Sequence, residues 1–97
     1  MSLVPASHDQ SNSRTYYKDI SNEAMTSWGN IYRLNVTVDV GENPTNKQMD
    51  AAFIPSDAYI AGVVGVAVRT TSKVDVTLFR GESHNLTGRV YVTIFDD

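Results

Sequence analysis

The side chains of this 97-residue sequence best equipped for chemistry are two histidines, three aspartates on or beside apolar segments, and five aromatic rings. His8 falls in a polar leading segment and His84 in a polar loop. Neither stands at metal-ligand spacing from another histidine, and the chain has no cysteine, so solvated or interfacial roles are expected for both, with no metal and no cofactor. Asp39, Asp57 and Asp75 would do general acid and base work only if they converged from separate strands. Asp39 and Asp75 fall on polar strand faces, where pairing with Arg33, Arg69, Lys73 or Arg89 is the expectation.

Nucleophilic and nucleotide chemistry find no support. Serine and threonine are abundant, yet neither a Gly-x-Ser-x-Gly elbow nor a Ser-x-x-Lys signature occurs. Gly62-Val63-Val64-Gly65 has the glycines of a phosphate loop without its lysine, and no helix is signalled behind it to present its N-terminus to a phosphate. Asn35-Val36-Thr37 and Asn85-Leu86-Thr87 fit the glycosylation acceptor pattern, which three residues match often by chance. The opening Met1-Ser2-Leu3-Val4-Pro5 does not read as a secretory leader, so chance is the expected explanation. No catalytic constellation emerges, and an enzyme is not expected.

The aromatic residues Tyr16, Tyr17, Trp28, Tyr32 and Tyr59 point elsewhere. Ring faces stack on sugars and line ligand grooves, and tyrosine hydroxyls fix orientation. The same rings would equally pack a leading segment onto a sheet. Tyr16, Tyr17, Ile20, Met25, Trp28 and Tyr59 are therefore the candidate interface residues.

Composition narrows the partners. Eight basic against eleven acidic residues leave a net charge of -3, which offers no broad positive surface to nucleic acid. The most apolar run, Ile60 to Val68, is far shorter than a membrane span of about 20 residues. Without disulfides, stability must come from packing or from partners, and a reducing compartment fits.

The elements that would position these residues are strands. Residues 1–30 are dominated by Ser, Asn, Asp, Gln and Thr with no regular apolar period, and read as an extended N-terminal arm, with a helical turn conceivable near Ser21-Asn22-Glu23. From Ile31, Tyr32, Leu34, Val36, Val38 and Val40 alternate with polar residues, the mark of a half-buried strand. Gly41 to Asn46 supplies turn chemistry. Lys47 to Phe53 suits a short helical turn or an irregular segment, although Met49, Ala51 and Phe53 would also fit one face of a strand. Ile60 to Val68 is apolar on both faces and reads as a central strand covered on both sides, by a second sheet or by another subunit. Gly62 and Gly65 interrupt it, which suggests a bulge or the close approach of another backbone. Two more amphipathic strands follow, Lys73 to Leu78 and Leu86 to Ile94, and the last three strands read as a meander of hairpins.

The expectation is an all-β protein: a small antiparallel β-sandwich or barrel-like body over residues 31–97 behind the arm. A body this small has little core of its own and would gain from partners. An aromatic-bearing arm, a marginal β-body and no catalytic constellation suggest a viral structural protein, a virion component made in the host cytoplasm. The expected role is a bacteriophage capsid cement or decoration subunit. Its partners would be itself, as a homo-oligomer such as a trimer, and a major capsid protein. The alternative is a carbohydrate- or peptide-binding β-sandwich module.

Overall fold

A computed structural model describes residues 13–96, which form seven strands and no helix. They are β1 (Ser13–Glu23), β2 (Thr26–Trp28), β3 (Ile31–Asp39), β4 (Gln48–Pro55), β5 (Gly62–Thr70), β6 (Lys73–Arg80) and β7 (Leu86–Phe95). The strands build two antiparallel sheets, β1-β7-β4 and β2-β3-β6-β5, packed as a sandwich.

Period-two patterning explains which faces meet. Val36 and Val38 of β3, Val74, Val76 and Leu78 of β6, and Leu86, Val90, Val92 and Ile94 of β7 all point inward and are buried. Their polar neighbours Asn35, Thr37, Asp75, Thr77 and Thr93 line the outer faces, because successive strand residues point to opposite sides. β7 is the central strand of its sheet and β3 and β6 are the inner strands of theirs, with β6 and β7 forming the spine of the sandwich.

The sequence reading needs correction in four places. Residues 13–28, expected in the extended arm, are strands of the body, and the first twelve residues of that arm lie outside the described part. β1 pairs with β7 from Ser13↔Phe95 to Glu23↔Leu86, with a register shift between Ile20 and Glu23. Asn22, with φ 54°, turns the backbone where a helical turn was conceivable. β1 looked arm-like because it is an edge strand: Tyr16 and Ile20 reach the core, while Arg14 and Lys18 share their side of the strand and blur the alternation.

Lys47 to Phe53 holds no helical turn. Gln48–Pro55 is a strand paired with β7, and Met49, Ala51 and Phe53 face the core. Pro44 is buried in the turn before it, where the Lys47 N–H donates to the Pro44 carbonyl at 3.2 Å and the Thr45 N–H to Asn43 Oδ1 at 3.0 Å. The meander holds for β5 and β6, which form a hairpin, but β7 leaves for the other sheet through residues 81–85. Sheets packed about 10 Å apart are within reach of such a loop.

β5 departs furthest from expectation. Its two apolar faces suggested a central position, yet it is the edge of its sheet. Val63 and Val66 pack against the core from the rim, while Val64 and Val68 remain 48% and 42% exposed.

Gly88 shows how tightly β4 lies on β7. A Cβ there would stand 2.4 Å from the Ile54 carbonyl oxygen and 2.8 Å from the Pro55 Cα, so only glycine fits. Ile20 lies opposite Gly88 on β1 and is buried in the core. Ile20→Ala should therefore lower the stability of the protein by about 3 kcal/mol in urea unfolding, the usual cost of such a cavity. A free arm would show no change.

Candidate interaction surface

Ionisable groups gather most densely at the end of the sandwich where β1 begins and β7 finishes. Arg14 donates to Glu42 through Nε at 2.5 Å and Nη2 at 2.7 Å, and to Asp96 through Nη1 at 2.8 Å and Nη2 at 2.9 Å. Lys47 Nζ lies 3.2 Å from Glu42 and 3.4 Å from Asp96, and the Tyr16 hydroxyl also donates to Glu42. Hydrogen bonds from Arg14, and then from Tyr16, pull Glu42 down to about 2, and those from Arg14 hold Asp96 at about 2. Donation to the Glu42 carboxylate pushes the Tyr16 phenol up. Both carboxylates are thus ionised near neutral pH, and the arrangement ties β1, the β3–β4 turn and the end of β7 together.

Asp39 and Asp75 are paired with cations as their polar strand faces suggested. Asp39 meets Lys73 at 3.4 Å and Asp75 meets Arg69 at 3.0 Å, while Asp57 Oδ1 accepts the Tyr59 N–H at 2.9 Å. The Gly41 N–H and then Lys73 hold Asp39 below its ordinary value. Among the described residues, no group of three or more His, Asp or Glu side chains converges where it could hold a metal ion. His8 lies outside the described residues.

The six candidate interface residues do not form one patch. Ile20 is in the core, Met25 packs against it, and Tyr16 belongs to the charged end. Tyr17 stands on the outer face of the β1-β7-β4 sheet, 6.2 Å from Tyr91 between ring centroids, with the Arg89 guanidinium 3.9 Å above its ring. Asp19 fixes that guanidinium at 2.7 Å and is itself held below its ordinary value by it. Beside them a shallow open depression of about 370 Å³ is bordered by Ile54, Pro55 and Ser56.

Trp28 and Tyr59 lie toward the opposite end from the Arg14 cluster. Arg33 sits 5.0 Å over the Trp28 ring. Tyr59 stacks on His84 with centroids 3.4 Å apart, and Arg80, 5.6 Å from the Tyr59 centroid, donates to the Ile60 carbonyl at 2.5 Å. Tyr32 pairs with Arg80 at the same end. The five rings therefore do not share a groove. Pairing register between distant strands assembles the Tyr17–Arg89–Tyr91 group, and no local spacing announces it.

Exposed apolar side chains concentrate on the second sheet and the loop that leads into it. Ile60 is 69% exposed, Val64 and Val68 follow along β5, and Phe79 lies across Gly62, where a Cβ would stand only 2.4 Å from its ring. From Tyr59 to Val68 no side chain carries a charge. Sequence reasoning singled out this run but placed it inside, because apolarity on both faces usually means burial on both. Neither family models, curated proteins nor solved structures give a match to this chain.

Acid should loosen the charged end. Glu42 and Asp96 have ordinary values of 4.5 and 3.8 and folded values of about 2, so their stabilisation is complete above about pH 4.5 and is lost as pH falls toward 2. The urea midpoint should fall through this window more steeply in the native protein than in Arg14→Ala. Equal slopes would show that Arg14 does not hold these carboxylates.

Proposed function

We propose that this chain is an assembly subunit, a small β-sandwich that works by holding copies of itself and a larger protein shell together, in the manner of a bacteriophage capsid cement or decoration protein. The observation that carries this reading is the exposed edge strand β5, uncharged from Gly62 to Val68, with Ile60 leading into it. Such edges invite strand pairing, and soluble chains ordinarily blunt them with charge or proline. Because the core is filled by both sheets, the apolar surface of β5 is not a defect of packing; it is surplus that association would bury.

Residues 13–28 are engaged in the body's own sheets, so this reading rests on the body's surface and not on a thirty-residue arm. Light scattering on the full chain should give a multiple of the single-chain mass. Purified particles from a source encoding the chain should contain it in fixed stoichiometry with the major shell protein. Absence from particles would sink the capsid setting.

One arrangement favours a second reading. Tyr17, Tyr91 and Arg89 present ring faces and a fixed cation beside a shallow groove, which suits a sugar or a peptide. A glycan array should then give clean hits that Tyr17→Ala abolishes. Binding lost with Trp28→Ala instead would place the ligand at the far end of the other sheet.

A further inference from the structure

The four edges of the two sheets are treated unequally. β1 carries Arg14, Lys18, Asp19 and Glu23 along its length, β4 carries Asp50 and ends at Pro55, and β2 is three residues long. Charge, proline and brevity are the ordinary devices that keep an edge from recruiting another strand. β5 has nine residues and no charge before Arg69. Its outward backbone groups face no strand of its own sheet.

Gly65 adds an independent observation. Its φ is ordinary, and a Cβ built on it would meet nothing within 4 Å. Nothing within the chain requires glycine at this point, in contrast to Gly62 and Gly88, which are crowded by Phe79 and by β4. A glycine with open space beside it on an unpaired edge suits a backbone arriving from outside.

The geometry points to a second copy of this chain as the occupant, pairing β5 against β5 antiparallel so that two four-stranded sheets become one of eight. This pairing rests on the assembly reading for its biological role, and it specifies the surface. A two-fold axis makes such a contact self-complementary, each residue i meeting j while j meets i. Directly opposite residues in an antiparallel pair must face the same side of the sheet, which forbids registers that set Val66 opposite Ala67. The bulge between Val63 and Gly65 and the irregularity between Val68 and Thr70 leave residues 65–68 as the regular stretch.

An axis through Val66 falls inside that stretch. It sets Gly65 against Ala67, two small residues that let the strands approach, and Val64 against Val68, the two exposed valines of the strand. Arg69, the one charged residue of β5, lies beyond the regular stretch, so no charged residues face each other within it. The same surface serves both partners, and an uncharged stretch suits its own copy without a complementary charge pattern.

Paired variants of the full chain test both the edge and its register. Val64→Lys with Val68→Lys places like charges opposite each other twice and should reduce the mass in light scattering to that of the lone β5-separated unit. Val64→Lys with Val68→Glu places opposite charges at the same positions and should retain the native mass. Circular dichroism and the urea midpoint report whether each variant folds. Should the double-lysine variant fail to fold, amide exchange in the native chain decides: amides of residues 65–68 should gain protection as concentration rises.

A native chain that is oligomeric, with a mass unmoved by the double-lysine change and β5 amides indifferent to concentration, would overturn the β5 pairing while the assembly reading stands on another surface. A chain that remains single in solution yet is present in particles would make a shell protein the occupant and overturn self-pairing. A single chain that is absent from particles would overturn both.

Discussion

Val74, Val76 and Leu78 on β6, and Leu86, Val90, Val92 and Ile94 on β7, lose all contact with water where the two sheets meet. Complete burial of an aliphatic side chain of this kind is worth about 2 kcal/mol, so this contact outweighs any exposed ion pair. The rest of the architecture serves it. β3 and β5 extend one side of the contact, β1 and β4 extend the other, and the loop of residues 81–85 carries the chain between the two central strands.

With the core closed by those faces, the sheet edges are the backbone left open to solvent. Three are short, charged or ended by proline, which is how a soluble sheet avoids adding strands. β5 is the exception. Its valines supply the rim of the core through Val63 and Val66, and the same strand presents Val64 and Val68 to solvent. A strand that satisfies the core with one face and remains apolar on its free side is suited to a second protein surface.

The charged end illustrates how tertiary structure can gather reactive residue types for a mechanical purpose. Arg14, Glu42, Lys47 and Asp96 come from three separate parts of the sequence and meet at distances of 2.5 to 3.4 Å. Each carboxylate is shared between two cations, so its proton is hard to add and its charge is compensated. Arg14 lies near the start of β1 and Asp96 just past the end of β7, and Glu42 and Lys47 join them from the connection between β3 and β4. The result is a clasp on the open end of the sandwich. At the other end, Arg80 bridges the Ile60 carbonyl and, at 3.1 Å, that of Glu82, with its guanidinium near the Tyr59 ring.

Alternation alone determined β3, β6 and β7, because strands with one wet face and one dry face write their period of two into the residue order. The all-β class, the antiparallel sandwich, the β5–β6 hairpin and the pairing of Asp39 and Asp75 with neighbouring cations were all legible in this way. Edge strands were not. β1 mixes Arg14 and Lys18 with Tyr16 and Ile20 on one side, and β4 is short enough for a strand face and a helical turn to look alike. Only the tertiary structure decided that β7 joins the opposite sheet from β6, that Tyr17, Arg89 and Tyr91 meet, and that β5 lies at an edge. Each depends on which strands become neighbours across long loops, and side-chain periodicity records the face a residue takes but not the strand that will lie beside it.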